Sequence, residues 1–338
     1  MNKRWKLRLR VIYFVVLVAA AVCAVPVPIL DLDQLTDSAD LIVVGGITSI
    51  VERGRTMVKA ADGQEQPARS MTGEMQVDHV LKGLAVSTVT FRFVLPETPN
   101  GYSGIPVLSY RILFLKLPVD GTYEFASPYY PSLPAAVGTP PTGNSPMQQV
   151  LGQLSSVVTS SHTSEEQRRE AIFALSRSRV KEATDLLQRV FNQTDSVAKI
   201  EIAAALLERN DVTSLDVAVD ALLRPRGVPP YLLHNLSYAI AEGLKDERAI
   251  PALGRLLASR QPEIRRSAVS ALWHTGSSSA IPLLSASLSD SDLEARYYAV
   301  VGLAEITSQD DWRPLMDDFK ANQSRYLVYW RDWARANK

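Results

Sequence analysis

The sequence predicts a multidomain α and β protein, with a small N-terminal β-barrel followed by an α–α superhelix. Three observations carry that expectation. Apolar residues alternate with period two only within 38–127. A proline-rich stretch occupies 128–146. From 147 to 338 a helical pattern recurs at a period of 31 or 32 residues. A length of 338 residues suits two domains, and 46% apolar with 21% charged residues suits a folded chain.

The first ten residues, MNKRWKLRLR, hold five Lys/Arg and no acid. The apolar run VIYFVVLVAAAVCAV follows at 11–25, then Pro26. A basic start, an apolar middle and small residues at the end make a signal-peptide layout over 1–24. Val22 and Ala24 sit three and one before a cut after Ala24. The apolar run rises only about 22 Å as a helix, against the ~30 Å core of a bilayer. The expectation is therefore an exported chain, periplasmic or secreted, with no stable membrane span after cleavage. The alternatives are an uncleaved N-terminal helix acting as membrane anchor, or lipidation at Cys23. Against lipidation, Val22 stands where a lipoprotein signal has a small residue. Cys23 is the single cysteine, so a cut after Ala24 removes disulfides, thiolate nucleophiles and cysteine metal sites together. It also takes five basic residues from 36 against 36 acidic ones, leaving −5. Nothing in that balance supplies the basic surface a nucleic acid needs.

The β domain is expected within 25–127. "ADLIVVGGITSIVE" has β-branched residues on both faces and reads as a strand. "MTGEMQVDHVLKG" alternates and stops at Gly83. "VSTVTFRFVL" alternates through Val89, Phe91 and Phe93. "LSYRILFLKL" is a further strand and "GTYEFAS" a short last one. Short strands parted by Gly- and Pro-containing loops point to a small barrel or sandwich. "RGRTMVKAADGQEQPA" at 53–68 reads as a long polar loop, either a binding loop or a loose hairpin tip. The connector "PYYPSLPAAVGTPPTGNSP" has six prolines in nineteen residues, so it cannot be helix. It reads as a stiff spacer holding two domains apart.

The helical region repeats itself. "EIRRSAVSALWHTG" at 263–276 matches "EARYYAVVGLAEIT" at 294–307, with Glu263 on Glu294, Arg265 on Arg296, Ala268 on Ala299 and Leu272 on Leu303. The preceding "AIPALGRLL" and "AIPLLSASL" match too. "RREAIFALSRSRVKEATDLLQRV" at 168–190 lines up with 200–222. Each unit reads as two amphipathic helices joined by a tight turn. One pair cannot bury its apolar stripe alone, whereas stacked pairs bury it against each other. Six pairs are expected, near 147–176, 180–209, 213–243, 247–275, 279–306 and 310–336.

On "SDSDLEARYYAVVGLAEI" and "SRQPEIRRSAVSALWHTG" the chain resembles the HEAT-repeat family in its short form. An acidic or polar turn is followed by Arg296 or Arg265, then the small and apolar positions. Pro251 and Pro282 fit the start of the first helix, where a missing N–H costs nothing. The second unit departs with Ile200 at the Arg position, and the third with His234. The resemblance implies that this Arg bonds turn carbonyls or a neighbouring acid, the alternative being ligand contact. Residues 38–127, through "ADLIVVGGITSI", "EMQVDHVLKG", "VTFRF" and "YRILFLKL", are similar to the OB-fold domain of the tissue-inhibitor-of-metalloproteinase and netrin-like superfamily. Its inhibitors insert a disulfide-tethered N-terminal cysteine into a metalloprotease. This region has no cysteine, so only the fold is implied.

No catalytic or cofactor constellation emerges, and no metal is implied. HExxH, GxSxG, GxGxxG and Walker patterns are absent, and His79, His162, His234 and His274 share no ligand spacing. The acid pairs Asp310/Asp311, Asp317/Asp318 and Glu165/Glu166 fall near helix starts or on polar faces. The last helix aligns Tyr326, Tyr329, Trp330 and Trp333 on one face. Such a stripe covers the open end of a solenoid, or docks a partner. The candidate protein-binding residues are thus Tyr326, Tyr329, Trp330, Trp333, Arg265 and Arg296. The reading is an exported, non-catalytic scaffold, its partner another protein in the envelope or outside the cell, bound on the concave face of the solenoid. Two alternatives stay open. Short repeats of this kind also occur in phycobilin lyases, which implies an enzyme or lyase accessory, although that chemistry is intracellular. A protease inhibitor acting through the OB-like domain is the other.

Overall fold

The structure, a computed structural model, describes residues 31–59, 64–97, 108–117, 120–127, 132–194 and 196–337. The expected signal segment and Cys23 lie outside the described residues. The chain enters through a short helix, α1 (Leu32–Ser38). The Asp31 carboxylate accepts the Gln34 N–H at 2.8 Å and Gln34 Oε1 accepts the Asp31 N–H at 3.1 Å, satisfying two donors at the helix start.

A six-stranded sheet follows: β1 (Leu41–Lys59), β2 (Glu65–Lys82), β3 (Thr88–Pro96), β4 (Tyr110–Lys116), β5 (Tyr123–Phe125) and β6 (Ser132–Pro134). The order is β1-β2-β3-β5-β4-β6, and β4 also pairs with β1 over Leu41–Gly46. Only β3 and β5 run parallel. Both faces of the sheet are buried, each in a different core. Leu41, Val43, Ile47, Met75, Phe91, Leu113 and Leu115 pack inside it. The alternate residues Ile42, Val44, Ile112 and Phe114 join the core of the helices. Period two sends successive side chains to opposite faces, which is why "LIVV" is apolar throughout. Gly73 is required by close approach: a Cβ there would stand 2.3 Å from the Phe91 ring.

Two expectations are corrected here. Residues 60–63 of the expected loop 53–68 lie outside the described residues, but 54–59 and 65–68 are paired strand: β1 and β2 run from Gly54↔Ser70 to Lys59↔Glu65 as a ladder-bonded arm. The arm is largely exposed on both faces, Ala68 excepted, so the apolar alternation that marks a half-buried strand is missing. The connector 128–146 is no free spacer. Residues 132–134 form β6 against β4, and Leu133, Ala135 and Ala136 are buried with the helices. Proline is tolerated there because β6 lies at the edge of the strand order.

The helices come in stacked pairs. The first two pairs are α2 (Pro146–Thr159) with α3 (Glu165–Arg177), and α4 (Lys181–Gln193) with α5 (Ser196–Leu207). In the third, α6 (Leu215–Leu223) precedes α7 (Pro230–Tyr238), which runs on as a π-helical turn over Ala239–Gly243. The fourth and fifth are α8 (Ile250–Leu256) with α9 (Pro262–His274), and α10 (Ile281–Ser287) with α11 (Leu293–Ile306). The sixth unit is α12 (Met316–Ala336), broken at Asn322 (φ −127°, ψ 30°) into a short first helix and a long second one. Pro251 and Pro282 sit in the first turn of their helices. Asp211, Asp246 and Ser277 cap the 3₁₀ turns that lead into α6, α8 and α10.

The sheet and the first units share one core, because α2 and α3 pack on the face carrying Ile42, Val44, Ile112 and Phe114. The buried Arg111 of β4 locks that junction. Its Nη1 lies 2.8 Å from Glu170 of α3, while Nε and Nη2 donate to the Ser132 hydroxyl and carbonyl at 3.0 and 3.1 Å. On α1, Asp33 accepts the Ser178 hydroxyl at 2.6 Å and the Arg179 N–H at 2.7 Å.

Candidate functional site

The second helices α3, α5, α7, α9 and α11 lie side by side, each touching the next. Their apolar stripes face inward, so a continuous outer surface remains. Among the described residues it carries two sizeable hollows, with a smaller one of about 70 Å³ beside the first. The larger, about 380 Å³, lies across α3, α5 and α7. Phe173 and Tyr231 line it while 44% and 42% exposed. The Tyr231 hydroxyl donates to Glu201 Oε1 at 2.9 Å, and the Arg169 guanidinium lies 5.8 Å from the Tyr231 ring centre. Burial pushes the Glu201 carboxyl above its ordinary range, against the opposing pull of the Tyr231 hydrogen bond and Arg169.

The second hollow, about 230 Å³, lies across the end of α7, α9 and α11. Tyr238, 59% exposed, and Tyr298 line it, with Ser237, Ser267 and Ser270 among its polar groups. Arg266 lies within it, bonded to Glu294 at 2.5 Å and near Glu263 at 3.4 Å and Asp292 at 3.5 Å. Those carboxylates raise the Arg266 guanidinium, Glu294 foremost. Both hollows lie along the row of second helices, although their lining residues were not singled out from the sequence. The available signal was a large aromatic on the polar face of a second helix, at Phe173, Tyr231 and Tyr238.

The residues singled out from the sequence have other work. Arg265 forks onto Asp290, with Nε–Oδ2 and Nη2–Oδ1 both 2.8 Å, and its Nη1 donates to the Ser259 carbonyl at 3.0 Å. Arg296 repeats the pattern one unit on, donating to the Asp290 and Ser291 carbonyls at 2.7 and 3.0 Å and reaching Gln323 at 2.9 Å. Arg168 holds the first unit's turn in the same way, through the carbonyls of Val158 and Ser160 at 3.2 and 3.1 Å. Each Arg thus binds its own turn, and Arg265 and Arg296 also reach the next unit. Tyr326 and Trp330 are buried, Trp330 completely. Tyr329 stacks on Trp312 with centroids 3.5 Å apart and planes at 4°, and Trp333 packs edge-on against Trp330. The aromatic face of α12 therefore turns inward and closes the array, because the fifth unit's apolar edge is otherwise open.

The histidines stand apart. His274 Nδ1 lies 2.8 Å from the Ala241 carbonyl, His234 borders the second hollow, His79 is on β2 and His162 in a turn. Among the described residues no group of three or more His, Cys, Asp or Glu could hold a metal ion, and no helix is long and apolar enough to cross a membrane.

Residues 229–304 and 250–327 match the family model for HEAT repeats. Over those residues the helical units are similar to HEAT repeats. Comparison with curated proteins gives no match. Among solved structures, the complex of CpcE and CpcF of phycocyanin lyase from Nostoc sp. PCC7120 is similar at 20% identity, over 53% of this chain and 70% of that one, with a TM-score of 0.37. An engineered protein is 23% identical over 46% of this chain and 80% of its own, TM-score 0.32. Human deoxyhypusine hydroxylase in complex with glycerol is 17% identical over 55% and 72%, TM-score 0.26.

Proposed function

We propose that this chain is an exported, non-catalytic scaffold that binds another protein along the row of its second helices. The observation that carries the reading is the exposure of Phe173, Tyr231 and Tyr238 within hollows rather than singly on convex surface. Large aromatics with a polar tip are the usual anchors of protein interfaces, because they bury much area at low entropic cost. The Arg265 and Arg296 positions and the α12 aromatics serve the repeat stack, and the partner meets α3 to α11 instead. For the sheet we propose an OB-like barrel. The pairing of β4 with β1 as well as with β5 supports it, since that lets the strands return on themselves.

The test is affinity capture from the native cell envelope with the chain from residue 25 onward, beside the variant Phe173→Ala/Tyr231→Ala/Tyr238→Ala. One enriched protein that the triple variant loses supports the reading. Enrichment that the variant retains moves the binding surface elsewhere, and turnover of a substrate by the purified chain overturns the non-catalytic part. Export is checked separately by fractionation and N-terminal sequencing, with Val25 expected as the first residue of the exported form.

A further inference from the structure

We propose that the hollow lined by Tyr238 and Tyr298 receives a basic segment of the partner protein, seating a lysine or arginine side chain beside the two rings and the Glu242 carboxylate. The inference rests on the scaffold reading and adds the chemistry of the partner. Three observations carry it. The hollow spans three consecutive units and about 230 Å³, with Tyr238 largely exposed at its wall. An aromatic face in that position attracts a cation through its quadrupole.

The second observation is the charge balance. Glu242, Glu263 and Glu294 line the hollow, and Asp292 adjoins it. Arg266 is the one guanidinium among the lining residues, and it is already shared by Glu263, Asp292 and Glu294. Glu242 has no ion-pair partner at salt-bridge distance among the described residues. His234 on the same wall is the other group able to carry positive charge. The surplus is therefore negative. Burial, then the Glu294 carboxylate, holds the Tyr298 phenol above its ordinary range, with Glu242 adding to the same field.

The third is contrast. In the larger hollow Arg169 and Arg177 stand beside Glu201 and Glu208, so that lining is balanced. Of these two hollows, the one at α7–α9–α11 asks for a cation. An acidic segment there would face like charges, and an apolar one would bury Glu242 without a counter-ion, which costs more than it gains. A segment with alternate basic and apolar residues would fill both hollows.

The experiment titrates the full chain with fluorescent peptides of one length, carrying lysine, glutamate or serine at alternate positions, read by anisotropy. Spermidine serves as a free-amine control. The lysine peptide should bind, weaken as salt rises, and lose roughly tenfold in affinity with Glu242→Gln and with Tyr238→Ala. Protection of Tyr238 from nitration by the lysine peptide on the unaltered chain reports the same contact without any substitution. Equal binding of the glutamate or serine peptide overturns the inference, as does full occupancy by spermidine. So does lysine-peptide binding that Glu242→Gln leaves intact. If the peptides fail while envelope capture still depends on Phe173 and Tyr231, the basic-segment inference falls and the scaffold stands. If capture fails too, both fall.

Discussion

At the scale of single residues, the repeat is held by guanidinium groups that each serve a turn. Arg265 is 13% exposed and its partner Asp290 10%, so the fork between them is largely shielded from water. Replacing Arg265 by Ala leaves a shielded carboxylate and turn carbonyls without donors, and should cost about 2–4 kcal/mol in urea unfolding. Arg265→Lys should recover only part, because an ammonium cannot fork. Arg265, by hydrogen bonding, and Asp292 N–H hold the Asp290 carboxyl below its ordinary range. The unfolded chain then binds that proton more readily than the folded one. Its contribution is complete above the unfolded pKa of about 3.9 and is lost as pH falls through the lower folded value. Asp290→Asn should therefore flatten the acid side of the stability profile. Glu201 has the opposite sign, since burial raises it and its ionised form costs stability above about pH 4.3. Glu201→Gln should raise the urea midpoint near neutrality, with the gain vanishing in acid. A gain of stability at a lining residue fits a surface kept for binding rather than for folding.

At the scale of elements, α12 shows how a terminal unit differs from an internal one. Trp330 is fully buried, its ring edge-on to Tyr329 and Trp333. Trp330→Ala should cost about 3–5 kcal/mol and lower Tm, measured calorimetrically. The aromatic spacing of this helix was legible in the sequence, and so was the inward role weighed for it. The helix pairs were legible as well, because stripes of period 3.6 and a recurring Arg state the same unit again and again. Three elements were not. The arm of β1 and β2 is largely exposed on both faces, Ala68 excepted, so little in its composition alternates. β6 is three residues long and bounded by prolines, a composition that reads as linker. α1 announces itself only by its Asp31/Gln34 box, too short a signal beside the strands that follow. The lining of the hollows was legible only as stray aromatics, because exposure is a property of the stack and not of any one helix.

At the scale of the whole molecule, the sheet and the solenoid are one body at their junction. Arg111 is 8% exposed at the side chain and joins β4, β6 and α3, so its loss strands Glu170. Arg111→Ala should cost about 3 kcal/mol, and a double-mutant cycle with Glu170→Ala should show coupling across the junction. A fragment beginning at 147 would lay bare the apolar faces of α2 and α3 that Ile42, Val44, Ile112 and Phe114 now cover. Such a fragment should bind a hydrophobic dye and aggregate, so the binding surface is best studied on the intact chain. The two closures, a β-sheet on the first unit and an aromatic helix on the last, have a further consequence. Stacked repeats with bare ends present a head and a tail that fit each other, and such ends invite growth into open filaments. Here neither end resembles the internal seam it covers. The covered ends of the described array give a second copy no internal seam to continue.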